Sequence, residues 1–259
     1  MSAKIHATAV IGNQVELDTN VEIAPYAVID GEISVGSGTK IGAHAVISGR
    51  TQIGKNNLIS AFASLGSRPQ DLKYQNEDTK LVIGDHNMFR EYSNISLGTV
   101  TGSGETKIGN HNLFMVYTHV AHDCVIGDHV ILANGVALAG HVQVFDKAVL
   151  GGLSAVHQFC RIGTLSMIAG GAMVTQDVAP YCMVHGDRAQ LSGLNVVGLR
   201  RLNLTSEGLT SIKDMYRIVF SMSIKLDEAI EKIKNEISES SYREQFLSFL
   251  SSSSRGLCR

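Results

Sequence analysis

Tryptophan is absent from this 259-residue chain and proline occurs three times, against twenty-six glycines, a balance unlike that of an ordinary mixed fold. The four cysteines include no C-x-x-C pair, which argues against a zinc ribbon or a dithiol redox motif. No run of about 18 apolar residues exists to span a bilayer, so no stable membrane anchor is expected. The opening "MSAKIHATAVIG" has no charged stretch followed by an apolar one, so a cytoplasmic protein is expected. An excess of one charge is missing too. A net charge of −2 gives no general reason to expect nucleic acid as a partner.

What is present is a repeat. Apolar marks fall every sixth residue at Ile5, Ile11, Leu17, Ile23, Ile29, Val35, Ile41, Ile47, Ile53, Ile59 and Leu65. They fall again at Ile108, Phe114, Val120, Ile126, Leu132, Leu138, Val144, Leu150, Val156, Ile162, Ile168 and Val174, with Ile83, Phe89 and Ile95 between the two runs. A period of six suits neither an amphipathic helix nor simple strand alternation. It suits a hexapeptide solenoid, in which each hexad is one short strand and a turn, and three hexads close a triangular coil. The expected fold is an all-β left-handed parallel β-helix with a C-terminal α-helical domain. Each mark points inward, and a small or β-branched residue four later, such as Ala27, Thr39 or Ala63, fills the remaining interior. Glycine often follows the mark directly, as at Gly36 and Gly109, and reads as the turn residue with positive φ.

The stretches "GSRPQDLKYQNEDTK" and "GTVTGSGETK" break the rhythm, which predicts a prism over 1–185 with excursions near 66–82 and 98–107. Residues 186–259 read as a helical domain. Its three helices lie in "LTSEGLTSIKDMYRIVFSM", "LDEAIEKIKNEI" and "SYREQFLSFL", the first capped by Thr205 or Ser206. Leu226, Ile230, Ile233 and Ile237 form an apolar stripe on the second. The helices are expected to cover the open end of the prism, and the tail "SSSSRGLCR" carries no structural signal of its own.

If eighteen residues make a coil, residues eighteen apart stack at about 4.8 Å. Counted this way, His119, His122, His141 and His157 converge on one corner of three successive coils. His6, His44, His86, His111 and His129 are read instead as outward-facing surface residues three after a mark. Cys124 and Cys160 share an interior column two coils apart, about 9–10 Å, too far for a disulfide. An imidazole, with an ordinary pKa of about 6.5, is the natural general base near neutral pH. Asp123 is placed to orient His122, unless strand alternation sends the two side chains apart. Gly140 lies eighteen residues after His122, so its N–H is a candidate oxyanion donor. With no serine or cysteine nucleophile evident, direct attack of an acceptor on a thioester is the simplest chemistry. Two other readings stand beside it: a zinc hydratase of the carbonic anhydrase kind, with histidines of adjacent coils as ligands, and a non-catalytic binding scaffold.

The motifs "QDLKY" (70–74), "HVAHDC" (119–124), "ILAN" (131–134), "LAGHV" (138–142), "AVHQFC" (155–160), "QDVAPY" (176–181), "GLN" (193–195) and "SRGL" (254–257) closely resemble the UDP-N-acetylglucosamine O-acyltransferase family, which begins lipid A synthesis. The resemblance covers nearly the whole chain. It implies a homotrimer with active sites between neighbouring prisms and an (R)-3-hydroxyacyl donor on acyl carrier protein. It also implies a UDP-sugar acceptor and no cofactor or metal. His122 matches the family's general base, Asp123 its partner and Gly140 the oxyanion donor. Asp71, His119, His141 and His157 match contacts to the glucosamine and diphosphate, with Lys73 in the same substrate-binding set. Gln158, Asn195 and Arg201 match nucleotide contacts, Gly152 the thioester path, and Gly170 the position that limits acyl length. Lys147, Arg161, Arg200 and Arg201 are the basic residues offered to an acidic carrier. Ser96, Val197 and Leu202 depart from residues common in the family, histidine, glutamate and arginine respectively. These departures leave a 3-amino sugar nucleotide open as acceptor.

Overall fold

The computed structural model describes residues 2–202 and 204–259. Each hexad forms a strand of about two residues followed by a turn, as in Leu113–Phe114, His119–Val120, Val125–Ile126 and Ile131–Leu132. Strands pair in parallel with the partner eighteen residues on. Phe114, Leu132, Leu150 and Ile168 stack on a first face. Val120, Leu138, Val156 and Val174 stack on a second, and Ile108, Ile126, Val144 and Ile162 on a third. The marks of these columns are buried and form the core of a parallel β-helix. Near the N-terminus, Val28–Val35 and Val46–Ile53 run unbroken around the corner between the second and third faces, turning at Gly31 and Gly49.

The left-handed residue of each ordinary turn is the third after the mark, and it is seldom glycine. His44, His111, Asp123, His141 and Phe159 all have φ between 57° and 65°. The glycines directly after the marks are there for another reason. A Cβ on Gly36 would lie 2.6 Å from the carbonyl carbon of Gly54, and one on Gly109 would lie 2.6 Å from the Gly127 oxygen. Close approach of the next coil, and not positive φ, excludes a side chain. The histidine grouping changes with it. His6 directly follows its mark, whereas His141 occupies the turn position thought to hold surface residues alone. Turn side chains stack outside in columns: Tyr26, His44, Phe62, Tyr92 and Tyr117 on one edge, His86, His111 and His129 on another.

The corner between the third and first faces satisfies its amides with side chains. Inside, Asn57, Asn87 and Asn112 form a buried ladder, each accepting from a backbone N–H one coil on. The four-after position therefore takes asparagine as well as small residues. Outside, Asp85, Asn110, Asp128 and Asp146 accept from the N–H of Lys55, Asp85, Asn110 and Asn110's successor in the column, Asp128, at 2.6–2.9 Å.

Ile59 pairs with Phe89, thirty residues on, and Phe89 with Phe114, twenty-five on. The two excursions thus add twelve and seven residues to the eighteen of a coil. Both are narrower than expected, because Ser64–Ser67 and Glu105–Ile108 remain strands. The first is anchored by buried Tyr74, whose hydroxyl meets the Glu77 carbonyl and the Thr79 hydroxyl.

At the C-terminal end Cys182–His185 joins the first face and pairs antiparallel with Gln190–Leu194, so the expected boundary at 185 falls inside a hairpin. Helices α1 (Val196–Arg201), α2 (Ser206–Ser221), α3 (Leu226–Glu236) and α4 (Ser241–Ser251) follow. Thr205 caps α2 by accepting from Gly208 N, while the sequence pattern did not reveal α1. The tail is not structureless. Leu257 bridges Asp177, Cys258 N donates to the Asp177 carbonyl, and both tail residues are buried. Hairpin and tail pair onto the last coils, and α4 packs Phe246 on Tyr181 and Phe249 on Phe145. All four cysteines are buried and free.

Candidate active site

The corner between the second and third faces carries a hydrogen-bonded pair. His122 Nδ1 donates to Asp123 Oδ2 at 2.8 Å, and the Asp123 side chain is 1% exposed. Positive φ at Asp123 turns its side chain back toward its neighbour, which ordinary strand alternation would prevent. The carboxylate also accepts from Thr99 N, Thr99 Oγ1 and Ser103 N. Burial opposes its ionisation, but the bonds from Thr99 and His122 and the charge of His141 outweigh it and hold Asp123 below the usual carboxylate value. With Nδ1 committed to Asp123, Nε2 of His122 is left to accept a proton.

Gly140 lies directly against His122, and a Cβ there would sit 2.6 Å from the ring's Cε1. His141 N donates to the His122 carbonyl, tying the two coils together. The Gly140 N–H itself has no hydrogen-bond partner among the described residues. At the corner between the third and first faces the equivalent amides are capped by Asp or Asn.

The His141 ring meets that of His122 edge-on at 5.1 Å and stacks on Phe159 at 4.4 Å. Burial lowers its pKa, and His122 adds to the effect while Asp123 and Asp71 oppose it. Asp71, from the first excursion, is therefore within electrostatic reach of the corner, and Lys73 N donates to its carboxylate at 2.9 Å. His119, on the second face, has its pKa lowered by burial and by His122. Its Nδ1 bonds Asn94 Oδ1 at 2.9 Å, and Asn94 Nδ2 in turn donates to Ser67 Oγ. The sequence reading missed Asn94, Ser67, Thr99 and Ser103. Ser67, Thr99 and Ser103 lie in the segments that broke the hexad rhythm, whereas Asn94 lies in the regular run between them, paired with His119. His157 and Gln158 are exposed one coil beyond Gly140.

The remaining expected residues lie elsewhere in the chain. Gly152 and Gly170 stack on the corner between the first and second faces, where a Cβ on either meets only a carbonyl oxygen at 3.3 Å. Asn195 is the N-cap of α1. It accepts from Gly198 N and donates to the Leu165 carbonyl, so its amide is largely engaged in holding that helix. Arg201 ends α1. Arg161, read as an offer to a carrier protein, is buried. Its guanidinium lies 4.2 Å over Phe249 and donates to that residue's carbonyl.

His122, Asp123 and His141 each bring one ligand-type atom within 4.8 Å of the others. The set fits a metal poorly. Both carboxylate oxygens already accept hydrogen bonds, and one of those bonds comes from His122 Nδ1 itself. The arrangement is instead that of an oriented base beside a backbone donor, suited to acyl transfer.

Residues 177–258 match the family described as Udp N-acetylglucosamine O-acyltransferase, Domain 2, and residues 105–140 match the bacterial transferase hexapeptide family. An acyl-carrier-protein–UDP-N-acetylglucosamine O-acyltransferase of Anaeromyxobacter dehalogenans is 51% identical over 98% of this chain and 99% of its own length. Among solved structures, LpxA from Acinetobacter baumannii superposes with a TM-score of 0.96 at 41% identity, covering 98% of this chain and 99% of that one. The UDP-N-acetylglucosamine O-acyltransferase of Moraxella catarrhalis gives 0.95 at 40% identity over the full length of both.

Proposed function

Because the chain belongs to the UDP-N-acetylglucosamine O-acyltransferase family, we propose that the His122–Asp123 pair and the Gly140 amide carry out its reaction. That reaction is acyl transfer from acyl carrier protein to UDP-N-acetylglucosamine, the first step of lipid A biosynthesis. In the proposed mechanism His122 Nε2 takes the proton of the sugar 3-hydroxyl as the oxygen attacks the thioester carbonyl of an (R)-3-hydroxyacyl donor. The tetrahedral oxyanion accepts the Gly140 N–H. Collapse breaks the carbon–sulfur bond, and the departing thiolate recovers the proton from the His122 imidazolium. Asp123 keeps its charge throughout and holds the ring. No metal or cofactor is required in this sequence of steps.

His119, His141, His157, Asp71 and Lys73 are assigned to the sugar and diphosphate, and Gln158 and Arg201 to the nucleotide. Asn195, at the N-cap of α1, is assigned to the nucleotide with them. Gly152 and Gly170 serve the acyl chain, Gly170 limiting its length. These two stand about six residues along a face from the base, under about 20 Å at strand rise. A neighbouring copy is therefore proposed to complete each site, in a homotrimer. We assign the protein to the cytoplasm without a membrane anchor; no described helix is long and apolar enough to cross a membrane.

The observation that carries the mechanism is the 2.8 Å His122–Asp123 bond with Gly140 set against the same ring. The test is a mass-spectrometric assay offering UDP-N-acetylglucosamine, its 3-amino analogue and a ladder of acyl carrier thioesters. His122→Ala is expected to lower turnover about 10²–10⁴-fold with the fold intact, and a chelator to leave the native rate unchanged. Near-normal turnover by the variant would refute the base assignment. Abolition by the chelator, with rescue by zinc, would favour the hydratase reading.

A further inference from the structure

The second excursion adds seven residues to one coil and leaves the hexad register intact on either side. Its inner edge is a set of donors around one carboxylate. Thr99 N reaches Asp123 Oδ1 at 3.0 Å, Ser103 N reaches the same oxygen at 3.1 Å, and Thr99 Oγ1 reaches Oδ2 at 2.6 Å. Gly102 passes so close that a Cβ would lie 2.3 Å from the carboxyl carbon. A loop folded this tightly onto a buried charge has a definite electrostatic effect on that charge.

Resting on the acyl-transfer reading above, we infer that Thr99 is a positioning residue of the reaction, its hydroxyl sharing Asp123 Oδ2 with His122 Nδ1 and so setting how strongly the carboxylate holds the imidazolium. Two donors on one oxygen compete for its charge. While Thr99 donates, less of that charge is felt by the ring. The base is held in place by the 2.8 Å bond, while the pull of Oδ2 on its ring N–H is shared with the Thr99 hydroxyl. The other titratable groups facing the pair are His141, with Nδ1 3.9 Å from Oδ2, His119 on the second face, Asp71 acting through His141, and Cys124 beneath, whose thiol burial pushes up to about 12. None of these shares Oδ2 with His122 at hydrogen-bond distance. Thr99 alone does so through a side chain.

The experiment is kcat/KM against pH for the full-length enzyme and its Thr99→Val, Thr99→Ala and Thr99→Ser variants, with His122→Ala as reference. In Val and Ala the acid limb is expected to move upward by about half a unit to one unit, because the ring now has Oδ2 to itself. Turnover falls several-fold as the carboxylate loses a support. Ser, which keeps the hydroxyl, restores the native limb. Ala needs no new space and reads the same shift if Val disturbs folding. An acid limb unmoved in both Val and Ala overturns the inference, since a merely loosened loop lowers the rate alike at every pH. A Ser variant that behaves like Val overturns it as well. Full activity in His122→Ala would instead strike the acyl-transfer mechanism, and the Thr99 role with it.

Discussion

A residue in the left-handed region aims its side chain where an extended residue cannot, and the pair at the heart of this site depends on that. The repeat places such a residue third after most marks, and here it is Asp123 after Val120 and His141 after Leu138. The His122–Gly140 contact was legible from the count of eighteen. The direction of the Asp123 carboxylate was not, because φ is set by the turn and not by the spacing. Gly140 has little freedom to change without moving the base. Gly140→Ala would press a methyl group into the His122 ring, and we expect turnover to fall about 100-fold or more with little change in melting temperature. Steady-state kinetics beside a thermal scan checks this, and an unimpaired rate would mean that the ring is free to move.

At the scale of elements, the hexad strands were evident from their period, while the connections between the prism and the helices were hidden. Arg161 looked like one more outward residue of the repeat. In the fold it lies between the Phe145 and Phe249 rings, donates to the Phe249 carbonyl and faces the fully buried carboxylate of Asp177. Asp177 also accepts from Ser253 and pairs with the tail. Arg161→Ala leaves that buried charge without its counter-ion, a change that costs about 3–5 kcal/mol. The expected outcome is a lower melting temperature, with faster hydrogen exchange in α4 and the tail than in the prism. Uniform exchange throughout would show that the contact does not fasten the helices. Asn195 illustrates the same limit. Its motif suggested a ligand contact, and only the fold shows that it is also a helix cap.

For the whole molecule, the site residues of one chain divide between two corners of the prism. His122, Gly140 and Gln158 share one column, whereas Gly152 and Gly170 share another. In the proposed homotrimer a second copy would bring the two kinds of corner together, and the enzyme in solution is then expected to have three times the 27.8 kDa chain mass. Light scattering coupled to size exclusion measures this. An active monomer would require a site contained within one prism.

The regular step of six residues was enough to specify the coil, the stacking partner of every mark away from the two excursions and the gathering of imidazoles on one edge. Those follow from strand geometry, which is local and repeats. The donors around Asp123, the tautomer imposed on His119 by Asn94 and the docking of the tail had to await the folded chain. Asn94 comes beside His119 only because the second excursion lengthens that coil to twenty-five residues. The other two join a segment outside the repeat to the prism, and where such a segment comes to rest depends on which unpaired polar groups and apolar surfaces the prism offers it.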